Sequence, residues 1–157
     1  MYITRSSEDT FTFGRALGKF LKAGDTVLLY GDLGCGKSVL ARGIAASLGV
    51  KDEMASPTFT IMQPYQGDTE KVYHFDLYRL SSADELFAAG LCDHIASDGV
   101  ALVEWPQQAD LSPDVRVEVD IYRAEDFEAR EIEIALIGMD ERADEILLSI
   151  RKWEEDQ

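Results

Sequence analysis

The sequence predicts a single α/β domain over residues 1–157, a sheet flanked by helices with antiparallel strands in its middle and C-terminal parts. Three observations predict it. Two short, continuous apolar runs, TVLLY at 26–30 and GVALVEW at 99–105, have the composition of strands buried on both faces. The first of them runs straight into a glycine-rich loop and then a helical stretch. Near the C-terminus, VRVEVDIY at 115–122 and REIEIALI at 130–137 alternate apolar with polar, as strands do when one face is wet.

Taken in order, residues 8–21 carry Phe13, Leu17, Phe20 and Leu21 at helical spacing, with Ser6 or Ser7 as the candidate N-cap. Gly24 and Asp25 make the turn into the first buried strand. After the glycine loop, SVLARGIAASLG reads as a helix ending at Gly49. A polar connector follows, and then two strands, TIMQPY at 60–65 and KVYHFDLY at 71–78, joined by the hairpin loop QGDTE. A helix is expected over 83–89, and Pro106 stops the strand at 99–105. Ala143, Ile146, Leu147 and Ile150 recur at helical spacing in a closing helix.

With 30 acidic against 15 basic residues the net charge is -15. Nucleic-acid affinity comes largely from Lys and Arg neutralising phosphates, so direct binding of RNA or DNA is not expected of this chain alone. The charge serves solubility or forms an acidic docking face for a basic protein. Cys35 and Cys92 match no metal spacing, which argues against a disulfide framework or zinc site. MYITRSSEDT has no apolar h-region, and no run approaches a membrane span, so a soluble cytoplasmic protein is expected.

The strongest local signal is Gly31-Asp32-Leu33-Gly34-Cys35-Gly36-Lys37-Ser38, which satisfies G-x-x-x-x-G-K-[ST] between a buried strand and a helix. Each residue type has a physical task in such a P-loop. Glycines let the backbone curl so that N–H groups point inward at phosphate oxygens, and the following helix adds the positive end of its dipole. The Lys37 ammonium is placed to bridge β- and γ-phosphates, and the Ser38 hydroxyl to ligate Mg²⁺. Guanine-specific relatives read the base with Asn-Lys-x-Asp, and this chain contains no asparagine, so ATP is the expected nucleotide.

Mg²⁺ also needs a carboxylate at the end of a neighbouring buried strand, where Glu104 closes VALVE. Many ATPases place a second acid directly after that one to orient the attacking water. Trp105 stands there instead, so the water-positioning group must come from elsewhere or hydrolysis is slow. YHFDLYR offers one source. Strand alternation puts Val72, His74, Asp76 and Tyr78 on one face and Tyr73, Phe75 and Leu77 on the other. Either the first face borders the γ-phosphate and Asp76 handles water, or it is a solvated face above a core. Thr58, in SPTF, offers a hydroxyl to metal or γ-phosphate as switch loops do. Trp105 is either adjacent to nucleotide or partner, or simply core.

Together GDLGCGKS, SPTFTIMQPY, VYHFDLYRL and LVEWPQQ, in this order and spacing across 31–108, resemble the TsaE (YjeE) family. These are bacterial P-loop ATPases required for threonylcarbamoyladenosine modification of tRNA. The resemblance implies a P-loop NTPase-like sheet and a small Mg-dependent ATPase. It also implies partners: TsaD, which transfers the threonylcarbamoyl group to adenosine 37, and TsaB, ATP hydrolysis resetting their complex between turnovers. By matching position it implies that Leu33, Gly34, Cys35, Gly36 and Lys37 hold phosphates and that Ser38 and Glu104 bind Mg²⁺. Thr58 falls in the switch-like loop, Asp76 in the hydrolysis-linked His-x-Asp motif, and adenine contacts near Ser7 and Thr10. The family usually has Ala where Cys35 stands and Thr where Ser38 stands. Serine still supplies the metal oxygen, and Cys35 adds a thiol beside the phosphates whose oxidation is expected to block ATP.

Two other readings compete. A small-molecule P-loop kinase would need an acceptor pocket and a lid, for which Arg116 and Arg123 are the candidate arginines. A pure interaction module would bind ATP only as a structural ligand.

Overall fold

The computed structural model describes residues 1–157 except 56, 58 and 59. One seven-stranded sheet runs through the domain in the order β1-β7-β6-β2-β5-β4-β3. Its strands are β1 (Tyr2–Thr4), β2 (Thr26–Tyr30), β3 (Met62–Gln66), β4 (Lys71–Asp76), β5 (Gly99–Glu104), β6 (Arg116–Arg123) and β7 (Arg130–Ile137). The helices are α1 (Ser7–Gly18), α2 (Lys37–Ser47), α3 (Ala83–Ala88) and α4 (Asp140–Glu155), with 3-10 turns at Leu91–His94 and Pro106–Gln108.

The centre is parallel, with β2 between β5 and β6 and β4 outside β5. The hairpins β3–β4 and β6–β7 add antiparallel strands, and β1 closes the β7 edge. Both regions read as antiparallel from the sequence are therefore antiparallel. The three-residue β1 was not foreseen; it is too short to show a period.

Burial explains the strand compositions. Val27, Leu29, Val100 and Leu102 enter a core with Phe13 and Leu17 of α1, Leu40 and Ile44 of α2, and Ile146 and Ile150 of α4. The alternate residues Leu28, Ala101, Val103, Tyr73 and Phe75 face a second core that Leu80, Leu86 and Ala109 close. Strands covered on both sides need no polar face, whereas β6 buries only Val117, Val119 and Ile121.

Helix ends follow their caps. Ser6 is the N-cap of α1, its hydroxyl accepting from the Asp9 amide at 3.1 Å. That helix stops at Gly18, short of the expected residue 21, yet Leu21 stays buried. In α4 the buried stripe is Ile146, Ile150 and Trp153; Leu147 is exposed. A part-buried pair joins Arg142 to the buried Asp25, with Nη2 donating to Oδ1 at 2.7 Å, and ties the start of α4 to the entry of β2. No helix among the described residues is long and apolar enough to cross a membrane.

Candidate nucleotide and metal site

The carboxyl ends of parallel strands, where an open α/β sheet keeps its crevices, collect the predicted residues. The glycine loop 31–38 leaves β2 there and enters α2 at Lys37. Gly34 and Gly36 take φ values of 75° and 111°, and a Cβ on Gly34 would lie 2.9 Å from Nη2 of Arg123. The positive φ favours glycine at that position, while the tip of the Arg123 side chain could move aside for a Cβ.

A cleft of about 420 Å³ opens over this loop. Leu33, Gly34, Gly36, Lys37 and Ser38 line it from the loop, Asp76 and Arg79 from the end of β4, and Glu104 and Trp105 from the end of β5. Lys37 is almost wholly buried. Its ammonium donates to the carbonyls of Gly31 and Asp32 and stands 3.9 Å above the centroid of the Trp105 ring. Trp105 is itself left-handed, at φ 59°, and packs against Tyr78 at 4.9 Å between ring centroids. Both readings hold in part: Trp105 lines the cleft and also packs against the second core.

Ser38 and Glu104 are brought together as expected. The Ser38 hydroxyl lies within hydrogen-bond distance of both carboxylate oxygens, at 3.1 and 3.2 Å. Nε2 of His74 lies 2.6 Å from Glu104 Oε2. His74 Nδ1 is buried and has no partner among the described residues. In the β4–β5 register Asp76 lies opposite Glu104, and the amide of Leu77 donates to the Glu104 carbonyl at 3.1 Å. Asp76 Oδ1 accepts from the Tyr78 amide at 3.1 Å, which fixes the carboxylate at the strand end.

His74 and Asp76 do share a face, but it is not a solvated one: both are buried, and that face turns toward α2. Alternation identified the face; only the register between parallel strands 30 residues apart shows that His74 is spent on Glu104. Thr58 lies outside the described residues.

A hydroxyl and a carboxylate are hard oxygen donors that suit Mg²⁺. Among the described residues no group of three His, Cys, Asp or Glu side chains could hold a metal by itself.

Around the loop, the structure adds contacts to three expectations. Cys35 is buried in the core beneath the loop, and a Cβ added to Gly31 would sit 2.5 Å from its sulfur. Burial pushes its thiol pKa up despite Lys37 nearby, which lowers the share of reactive thiolate. Of the candidate lid arginines, Arg123 bonds the glycine loop itself, its Nη2 donating to the Leu33 carbonyl at 3.0 Å, while Arg116 Nε donates to Glu118 at 3.0 Å. Arg130, not singled out by the sequence, donates to the Cys35 carbonyl at 2.7 Å. At the start of α1, Ser7 is exposed, while the Thr10 hydroxyl is occupied by Thr4 at 2.7 Å and by the Ser6 carbonyl. What Thr10 offers the loop is its methyl group, 3.8 Å from where a Gly36 Cβ would sit.

Residues 4–135 match the family model described as threonylcarbamoyl adenosine biosynthesis protein TsaE. The tRNA threonylcarbamoyladenosine biosynthesis protein TsaE of Bacillus subtilis is 38% identical over 136 residues, 86% of this chain and 84% of that protein. Its counterpart from Streptomyces coelicolor is 42% identical over 135 residues, covering 82% and 90%. The crystal structure of Bacillus subtilis YdiB superposes with a TM-score of 0.77 at 30% identity, covering 98% of this chain and 94% of that one. Sequence, fold and site thus lead to one conclusion: the chain belongs to the TsaE family, whose role is in the biosynthesis of threonylcarbamoyladenosine in tRNA.

Proposed function

We propose that this chain is a cytoplasmic, Mg-dependent ATPase that hydrolyses ATP together with TsaD and TsaB and so resets the transferase complex that modifies adenosine 37. The observation that carries the reading is the convergence of Lys37, Ser38, Glu104 and Asp76 on one cleft at the carboxyl ends of β2, β4 and β5. Each group has a task there. Lys37 and the amides of residues 33–38 bind the phosphates of ATP. Ser38 and Glu104 hold Mg²⁺, with His74 fixing the carboxylate. When bound, the metal neutralises charge that develops on the β- and γ-phosphate oxygens. Asp76, held by the Tyr78 amide, orients the attacking water and receives its proton. Thr58 contributes a hydroxyl from the switch-like connector, and the start of α1, near Ser7 and Thr10, flanks the adenine.

Phosphate release from ATP and Mg²⁺ tests the reading, measured with the purified chain alone and with TsaB–TsaD added. Slow release alone and clear stimulation by the complex are expected. Asp76→Asn should keep ATP binding and lose about 100-fold or more in stimulated release. Absence of stimulation in an assembled complex would sink the partner-dependent ATPase. Full activity of Asp76→Asn would remove Asp76 from the mechanism.

A further inference from the structure

The β6–β7 hairpin reaches the glycine loop with two arginines, and both bond to backbone rather than to acids. Arg123 Nη2 donates to the Leu33 carbonyl at 3.0 Å, and Arg130 Nε to the Cys35 carbonyl at 2.7 Å. Nη1 of Arg130 also donates to the carbonyls of Phe127 and Ala129, at 2.8 and 2.9 Å, so its guanidinium is held by the hairpin's own turn. These contacts span 90 and 95 residues of sequence.

Their effect follows from peptide geometry. In a planar trans peptide the carbonyl of one residue and the N–H of the next point in opposite directions. Holding the Leu33 carbonyl toward the hairpin therefore turns the Gly34 N–H away from it, and holding the Cys35 carbonyl does the same for Gly36. Gly34 and Gly36 both line the cleft. Both are glycines at positive φ, for which alternative backbone conformations are sterically cheap. Without a restraint, these two peptide units can turn over and present carbonyl oxygens to an anion.

We infer that Arg123 and Arg130 are positioning residues that lock the Leu33–Gly34 and Cys35–Gly36 peptides with their N–H groups facing the phosphate site. The inference rests on the proposal that this loop binds nucleotide. Neither side chain touches the phosphates in this role; each acts through a carbonyl on the far side of the loop. The lock is geometric, so charge alone cannot replace it: a lysine cannot reproduce the forked contact of Arg130 with three carbonyls.

Calorimetric titration of ADP and ATP into the full chain tests the lock, using wild type, Arg130→Lys, Arg130→Met and Arg123→Met. Arg123 is exposed, so its variant keeps the test open should an Arg130 variant fail to fold. Each substitution should raise Kd about tenfold for ADP and ATP alike, with Arg130→Lys as impaired as Arg130→Met. A structural role alone would lower the fraction of chain that binds and leave the Kd of the folded fraction unchanged, which would overturn the inference. Wild-type affinity in Arg130→Lys would overturn it too, by making charge sufficient. Failure of the wild type to bind either nucleotide would instead sink the nucleotide reading on which the inference stands.

Discussion

His74 shows how a single side chain divides its neighbours' work. It is buried, it contacts one oxygen of Glu104, and Ser38 contacts the same carboxylate from the start of α2. Groups that orient a metal-binding carboxylate contribute about 10–100-fold to metal affinity or activity. His74→Asn keeps a polar side chain in a similar volume but cannot reach Glu104 as the ring does. The expected outcome is a rise of about tenfold or more in the Mg²⁺ concentration that half-saturates phosphate release, with metal-free ATP affinity unchanged. An unchanged Mg²⁺ dependence would show that Glu104 needs no help from His74. Part of this arrangement was legible beforehand, because alternation along VYHFD put His74 and Asp76 on one face. The rest was not. Which carboxylate His74 meets depends on the β4–β5 register, and the grip of Arg123 and Arg130 is on main-chain carbonyls, which any residue would supply.

At the scale of elements, the position of the glycine loop depends on how closely α1 can approach α2. A Cβ on Gly43 would lie 2.1 Å from the Phe11 carbonyl oxygen, and one on Gly14 would lie 2.6 Å from that of Leu40. The two backbones are in contact where those glycines face each other. Alanine at Gly43 gains about 1 kcal/mol of helix propensity. It must also push the helices apart, and overpacking of this kind costs about 1–3 kcal/mol. Since the obstacle is backbone and not the end of a flexible side chain, the steric cost should win. Gly43→Ala is expected to lower the unfolding midpoint in urea, and a higher midpoint would show that α1 yields freely. The helical pattern of SVLARGIAASLG was readable from the sequence, but the reason for glycine at position 43 was not. It belongs to the crossing of two helices, and Gly43 alone carries no sign of its neighbour. The buried strands were the most legible elements, because cover on both faces forces an unbroken apolar run in β2 and β5. The edge strand β1, paired only to β7, left no such mark.

For the whole molecule the governing fact is charge. The chain belongs to a family named for a tRNA modification, yet it carries a net charge of -15. Several of its cations are also engaged within the chain. Lys51, Lys71, Arg116 and Arg142 pair with carboxylates, while Lys37, Arg123 and Arg130 donate to main-chain carbonyls of the loop. Binding to a nucleic acid draws its affinity from releasing counterions, one for each phosphate neutralised, and a chain with twice as many acids as bases works against that term. The expectation is that the chain alone, at about 10 μM and about 0.15 M salt, does not retard tRNA in a native gel. Addition of TsaB and TsaD should bring tRNA and chain into one species, with the partners supplying the cations. The same acidic surface would then favour the assembly by long-range attraction, and its rate of formation should fall as salt is raised. A salt-sensitive tRNA shift by the chain alone would require a basic patch strong enough to overcome the field of the rest. It would move tRNA recognition onto this protein and away from the proposed partners.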